Sequence, residues 1–165
     1  MKQELSHTRK DGRVHMVDTS SKENSLREAK ACGSIALSSD TIQLIKEDQV
    51  KKGSVLTTAA LAGISAAKQC SNLIPLCHNI PLAKADVTFT MHPDRIEAFS
   101  EVRCVGPTGV EMEALTAVSI ALLTICLLYT SDAADDLLCV DLGGLRYIKK
   151  KKHLLHLHFI CTSTT

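Results

Sequence analysis

The stretch AKADVTFTMHPDRIEAFSEVRCV, residues 83–105, decides the fold. In its first part Ala85, Val87 and Phe89 recur at every second position, which places them on one face of a strand. In its second part Ile96 and Ala98, and less regularly Val102 and Cys104, are the apolar members. His92-Pro93-Asp94 between them is a turn signal, so the stretch reads as a β-hairpin.

Working outward, Ser54 is a good N-cap for a helix reaching about Cys70. Leu56, Ala59, Ala60, Gly63, Ile64 and Ala67 form its apolar face at i, i+3, i+4, i+7 spacing. These residues are small, so a neighbouring element can approach closely, and Gly63 is read as a packing glycine rather than a ligand contact. Further upstream, Ser39 or Asp40 caps a short helix to about Lys46, with Ile42 and Ile45 inward. Leu26 to Leu37 is read as a strand. Its Leu, Arg, Glu, Ala and Lys favour helix, but Gly33 and the Ser-Ile-Ala-Leu ending favour the extended form. Downstream, Gly106-Pro-Thr-Gly109 breaks the hairpin and Val110 to about Cys126 is a strongly apolar helix. The order strand, two helices, hairpin, helix implies an α+β two-layer sandwich. A ferredoxin-like arrangement would add one strand after the last helix.

The 165 residues fit one domain. Hydrophobic residues make up 45% but aromatics only 3%, with no Trp, so the core must be built from Ala, Leu, Ile and Val. With 19 basic and 18 acidic residues there is no global field, and neither nucleic acid nor an anionic membrane is indicated as a partner. The seven cysteines are odd in number and contain no C-x-x-C, which argues against a zinc knuckle or a thioredoxin-like pair. A polar N-terminus and free thiols point to a reducing, cytoplasmic location. Ala114 to Leu128 falls short of the roughly 20 residues that span a bilayer and reads as a buried helix.

Chemistry concentrates in LIPLCHNIPL, Leu73 to Leu82, where two prolines bracket Cys77 and His78. Adjacent side chains diverge, so Cys77-His78 is not a nucleophile–base pair. His78 can instead serve as an acid/base or phosphate contact. Lys51-Lys52-Gly53 precedes the Ser54 cap, where helix N–H groups and the dipole favour an anion. Glu111 and Glu113 fall in the first turn of the last helix, about 200° apart around its axis, and so are not a carboxylate dyad. His15 and Asp18 flank Met16-Val17 in an extended segment or loop.

In order, HMVD (15–18), LREA (26–29), KKGSVL (51–56), AALAGISAAK (59–68), LIPLCHNIPL (73–82) and TGVEMEALTAVSIALLTI (108–125) resemble the cyclic pyranopterin monophosphate synthase family of molybdenum cofactor biosynthesis. The resemblance covers about residues 5–125. It implies a ferredoxin-like subunit in a hexamer, a trimer of dimers, with sites at subunit interfaces. The implied reaction rearranges 3′,8-cyclo-7,8-dihydroguanosine 5′-triphosphate to cyclic pyranopterin monophosphate, releasing diphosphate. Lys52 and His78 would be catalytic. Leu76, Cys77, His78, Met112 and Glu113 would line the pocket, with Glu111 a further polar member. Lys52 and Arg27 would neutralise the triphosphate, helped by His15 and Lys68. No resident cofactor or metal is implied; a divalent ion accompanying the diphosphate is left open.

Beyond Ile125 the pattern departs from the family, which continues Tyr-Asp-Met-Cys-Lys with the Asp catalytic. Here Cys126, Leu127, Leu128, Tyr129 and Thr130 stand at those positions, so Leu127 replaces the acid and Thr130 the lysine. Asp132, five positions on, is more than a helical turn away. Leu127 to Gly144 resembles the peptide obtained when sequencing-adapter DNA is translated, and Lys149 to Lys152 resembles translated poly-A. Residues 1–126 are therefore read as the domain and 127–165 as a non-homologous tail, poorly ordered apart from a short helix and a strand at Leu154 to Cys161. His153, His156 and His158 lack a carboxylate or cysteine in register and are not read as a metal site. Losing the family's last strand would leave a sheet edge unpaired and favour aggregation. A chain that keeps the pocket and lacks the acid could also be a non-catalytic nucleotide-binding subunit.

Overall fold

The computed structural model describes residues 11–47, 54–130 and 160–164. Strand β1 (Ser25–Ala36) leads to helices α1 (Ser39–Lys46), α2 (Val55–Lys68) and the one-turn α3 (Cys70–Leu73). Strands β2 (Leu82–Met91) and β3 (Arg95–Gly106) form the hairpin, and α4 (Glu111–Thr130) and β4 (Ile160–Thr164) follow. The sheet order is β2-β3-β1-β4, antiparallel throughout, with Ala29 opposite Val102 and Phe89 opposite Ala98. This is the α+β ferredoxin-like sandwich that the element order predicts.

Local chemistry explains the elements. Strand β1 overrides its helix-forming composition because Ala29, Ala31 and Ile35 alternate onto the core face, and Ala29 and Ile35 are fully buried. Ser38, one residue ahead of the predicted cap, accepts from the Thr41 N–H and begins α1. Ser54 caps α2 as predicted, accepting from the Thr57 N–H. In β3 the alternation is regular rather than broken: Ile96, Ala98, Ser100, Val102 and Cys104 all face inward. Ser100 disguised the period, because a buried serine reads as polar; its hydroxyl donates to the Ala114 carbonyl at 2.8 Å.

Small residues bring the two long helices together. A Cβ on Gly63 would lie 2.8 Å from the Ala117 carbonyl oxygen and 3.1 Å from Val87 Cγ2, so only glycine admits this approach. The side chains of Val118, Leu122 and Ile125 on α4 are fully buried, each gaining about 1.5–3 kcal/mol from burial. Helix α4 runs to Thr130, four residues past its predicted end, because Leu127, Leu128 and Tyr129 carry no helix-stopping signal. At this length it meets the length and composition of a membrane span, which the shorter predicted segment did not. Its Ala114, Ala117, Val118 and Ala121 face nonetheless packs in the core.

The sheet edge expected to stand open is covered. The backbone of β4 pairs with β1 from Glu28 opposite Thr164 to Cys32 opposite Ile160. Ile, Cys and Thr suit an extended edge strand. The strand starts six residues later than the predicted Leu154, and 154–159 lie outside the described residues.

Candidate active site

The loop after α3 brings the site residues to the start of α4. Leu76 has φ +71°, the one non-glycine residue with positive φ among the described residues. A leucine in that region stores about 1–3 kcal/mol of strain, and such strain gathers where a neighbouring side chain must be aimed. The aimed residues are Cys77 and His78. His78 Nε2 lies 2.8 Å from the Val17 carbonyl oxygen; a carbonyl only accepts, so this nitrogen carries the proton and donates. The bond fastens the extended segment after His15 to the loop.

Glu113 lies in the first turn of α4 and is only 4% exposed. Burial pushes its carboxyl up, nearby Glu111 adds to the rise, and hydrogen bonding to Cys70 and the charge of His78 oppose it. Glu111 and Glu113 take different sides of α4, Glu113 inward and Glu111 half-exposed and folded back over Gly109. The Cys70 thiol is buried and pushed up to about 12, chiefly by desolvation. Cys77 is also raised, mainly by burial, with neighbouring Cys70 opposing the rise and the charge of Glu113 adding to it. Cys104 on β3 is raised by burial too and sits in the field of Glu113, Arg27 and Glu111. Arg27 Nε donates to the Gly106 carbonyl at 3.5 Å, which holds the guanidinium beside this group.

The sequence-predicted residues Arg27, Cys77, His78, Glu111 and Glu113 thus converge on the first turn of α4. Leu76 shapes the loop, and Met112 is 39% exposed between the two glutamates. Lys68 is exposed in the last turn of α2, two positions before Cys70. His15 is half-buried and its Nδ1 is enclosed without a hydrogen-bond partner. Asp18 turns back onto the Ser20 N–H at 2.9 Å. Lys52, with Lys51 and Gly53, lies outside the described residues. Sequence reading overlooked Cys70, Thr116 and Cys104 as neighbours of Glu113. For Thr116 the i+3 spacing from Glu113 was an available signal; Cys70 and Cys104 come from other elements and needed the fold.

A cavity of about 460 Å³ lies elsewhere, on the sheet face away from the helices, among Lys30, Cys32, Asp86, Thr88, Phe99 and Glu101. None of the predicted site residues lines it. That face carries cross-strand ion pairs of both signs, such as Lys84–Glu101 at 2.7 Å and Arg103–Glu101 at 2.8 Å. It therefore lacks the surplus of cations that a polyphosphate requires.

A ferredoxin-like sandwich with a thiol–imidazole–carboxyl cluster at one helix start defines the class of protein. The particular family follows from comparison: the MoaC family model matches residues 16–135, and the chain belongs to that family. A probable cyclic pyranopterin monophosphate synthase accessory protein of Methanothermobacter thermautotrophicus is 48% identical over 152 residues, 90% of this chain and 95% of that protein. The cyclic pyranopterin monophosphate synthase of Peptoclostridium acidaminophilum is 45% identical over 122 residues, 74% of this chain and 78% of that protein. A probable cyclic pyranopterin monophosphate synthase of Pyrococcus abyssi is 52% identical over 121 residues, 73% of this chain and 76% of that protein.

Proposed function

We propose that this fold is that of a cytoplasmic lyase of molybdenum cofactor biosynthesis. Its reaction converts 3′,8-cyclo-7,8-dihydroguanosine 5′-triphosphate into cyclic pyranopterin monophosphate and diphosphate. The observation that carries the reading is the convergence of Cys77, His78 and buried Glu113, in a chain 45–52% identical to proteins bearing the synthase name. Arg27 and Lys52 would neutralise the triphosphate. His78, with Nε2 committed to Val17, offers Nδ1 for proton exchange. Glu113 keeps its proton to higher pH than an exposed glutamate and can donate it to a substrate oxygen or nitrogen.

Leu127, at the family's acid position, is fourteen residues beyond Glu113, about 21 Å along α4 at 1.5 Å per residue. Side chains at the two positions of one copy cannot both reach one reacting centre. The complete site therefore joins the Glu113 end of one copy to the 127 end of another, in keeping with a hexamer built as a trimer of dimers. With Leu127 in place of the acid, this chain binds substrate without turnover.

The test is a chain carrying Cys126→Tyr, Leu127→Asp, Leu128→Met, Tyr129→Cys and Thr130→Lys. It should form the cyclic phosphate where the parent chain does not, and adding Lys52→Ala should then weaken substrate binding strongly. A restored chain that neither binds nor turns over the triphosphate overturns the reading. The second reading, a non-catalytic binding subunit, is favoured by the intact cluster at the start of α4 together with a leucine, 65% exposed, at position 127 near its far end. Reading the source DNA across codons 124–141 separates the two: a Tyr-Asp-Met-Cys-Lys continuation makes the tail an artefact, and Leu127 to Asp141 reproduced makes the subunit genuine.

A further inference from the structure

The segment that leads into β1 owes little of its shape to apolar packing. Arg13, Val14, Met16 and Asp18 are exposed and Val17 is half-buried. Hydrogen bonds hold it instead. Asp18 Oδ1 accepts from the Ser20 N–H at 2.9 Å, and the Lys22 N–H donates to the Thr19 carbonyl at 3.0 Å. Immediately before these two turns, the Val17 carbonyl accepts from His78 Nε2 at 2.8 Å.

The Val17 carbonyl belongs to the planar peptide unit that joins Val17 to Asp18. Its direction is set by the torsions on either side of that unit, one of which is the φ of Asp18. An Asp side chain that accepts from the N–H two residues on closes a ring that mimics a backbone turn and restricts that torsion. The direction of the carbonyl that meets His78 therefore depends on the Asp18 carboxylate. Its hydrogen bond from the Ser20 N–H holds that carboxyl below its ordinary value, so it is ionised, and a strong acceptor, at neutral pH.

We propose that Asp18 is a positioning residue for His78: its turn onto Ser20 presents the Val17 carbonyl to Nε2, and so orients the imidazole with Nδ1 left for the substrate. The proposal rests on reading His78 as part of the substrate site. Asp18 acts through the backbone and not on the reacting atoms, since its Oδ1 is engaged by its own chain two residues on.

The experiment compares the full chain with its Asp18→Ala, Asp18→Asn and Ser20→Ala variants. It reads the His78 Nε2–H proton by nitrogen-edited NMR: held by a carbonyl, this proton exchanges slowly with water and gives a signal; released, it exchanges fast and the signal is lost. Asp18→Ala deletes the acceptor of the turn and should abolish the signal. Asp18→Asn keeps a side-chain oxygen that closes the same turn, so it should keep the signal and separate the turn from the charge. Ser20→Ala retains the backbone donor and should match the parent. Binding of guanosine 5′-triphosphate, measured in parallel, should weaken roughly 3- to 10-fold in Asp18→Ala and recover in Asp18→Asn. A signal absent from the parent, retained in Asp18→Ala, or lost in both Asp18 variants alike would overturn the proposal. So would a parent that binds the triphosphate no better than Asp18→Ala does. A parent chain that binds no triphosphate while the signal behaves as described overturns the substrate-site reading and leaves the control of His78 by Asp18 standing.

Discussion

His78 Nε2 and the Val17 carbonyl oxygen lie 2.8 Å apart, although the residues are 61 positions apart in the chain. One imidazole N–H therefore ties the segment before β1 to the loop after α3. His78→Ala removes the donor and should release residues 14–20 to fast amide exchange, at a stability cost of about 1 kcal/mol. Hydrogen exchange followed by mass spectrometry reads this directly; unchanged protection at 14–20 would mean that the bond does not hold the segment.

Glu113 makes stability depend on pH with a defined sign. Its folded-state carboxyl is raised, chiefly by burial, so the folded form binds the proton more tightly than the unfolded form. Stability from this group is full below the unfolded value of about 4.5 and is lost as pH rises through the folded value. Glu113→Gln, which carries no charge at any pH, should melt higher than the parent at pH 7. The difference should shrink as pH falls towards 4. Thermal melts at several pH values check it, and a Gln variant that is less stable at pH 7 contradicts the sign.

Gly63→Ala tests the helix contact. Alanine gains about 1 kcal/mol of helix propensity, but its Cβ would press against the backbone oxygen of Ala117 at 2.8 Å and against Ala121 Cβ at 3.2 Å. Overpacking of this kind costs about 1–3 kcal/mol, so net destabilisation of up to about 2 kcal/mol is expected in urea unfolding. A more stable Ala variant would show that α2 and α4 can separate at little cost.

The hairpin, both long helices, β1 and the packing role of Gly63 were legible because each rests on local periodicity or on one small residue within a small-residue face. Two readings failed for physical reasons that a linear pattern hides. Ser100 looked like a break in β3, since its inward hydroxyl is satisfied by an α4 carbonyl that only tertiary structure supplies. Edge pairing at β1 was missed because Ile160–Thr164 is distant in sequence and lacks apolar alternation. At the site, the loop and the α4 start were readable as motifs. Cys70, which meets Glu113 from another element, was not.

The Cys70 thiol should be nearly inert in the folded chain. Burial raises it to about 12, and only the thiolate reacts with an alkylating agent. Iodoacetamide at pH 8 should therefore leave Cys70 unmodified until the protein unfolds, whereas half-buried Cys77 is slowed but still reached. Peptide mapping with and without denaturant measures both, and rapid native labelling of Cys70 would contradict its burial.

The distance along α4 yields the most demanding prediction. If each site combines Glu113 of one copy with position 127 of another, two chains that are separately inactive should complement each other. One is the chain with Leu127; the other carries the five restoring changes at 126–130 together with Glu113→Gln. In each homo-oligomer every site lacks one component. Co-assembled at equal amounts, about one quarter of sites receive Glu113 from the first chain and Asp at 127 from the second, since each component is drawn independently with probability about one half. Co-expression should therefore recover about a quarter of the fully restored chain's cyclic phosphate formation, while mixing the two as preformed, non-exchanging oligomers should recover none. Activity no higher than that of the separate chains, with mixed oligomers demonstrated by mass spectrometry, would place both components of the site within one copy. That result would require α4 to bend or break between Glu113 and Leu127, against the continuous helix from Glu111 to Thr130.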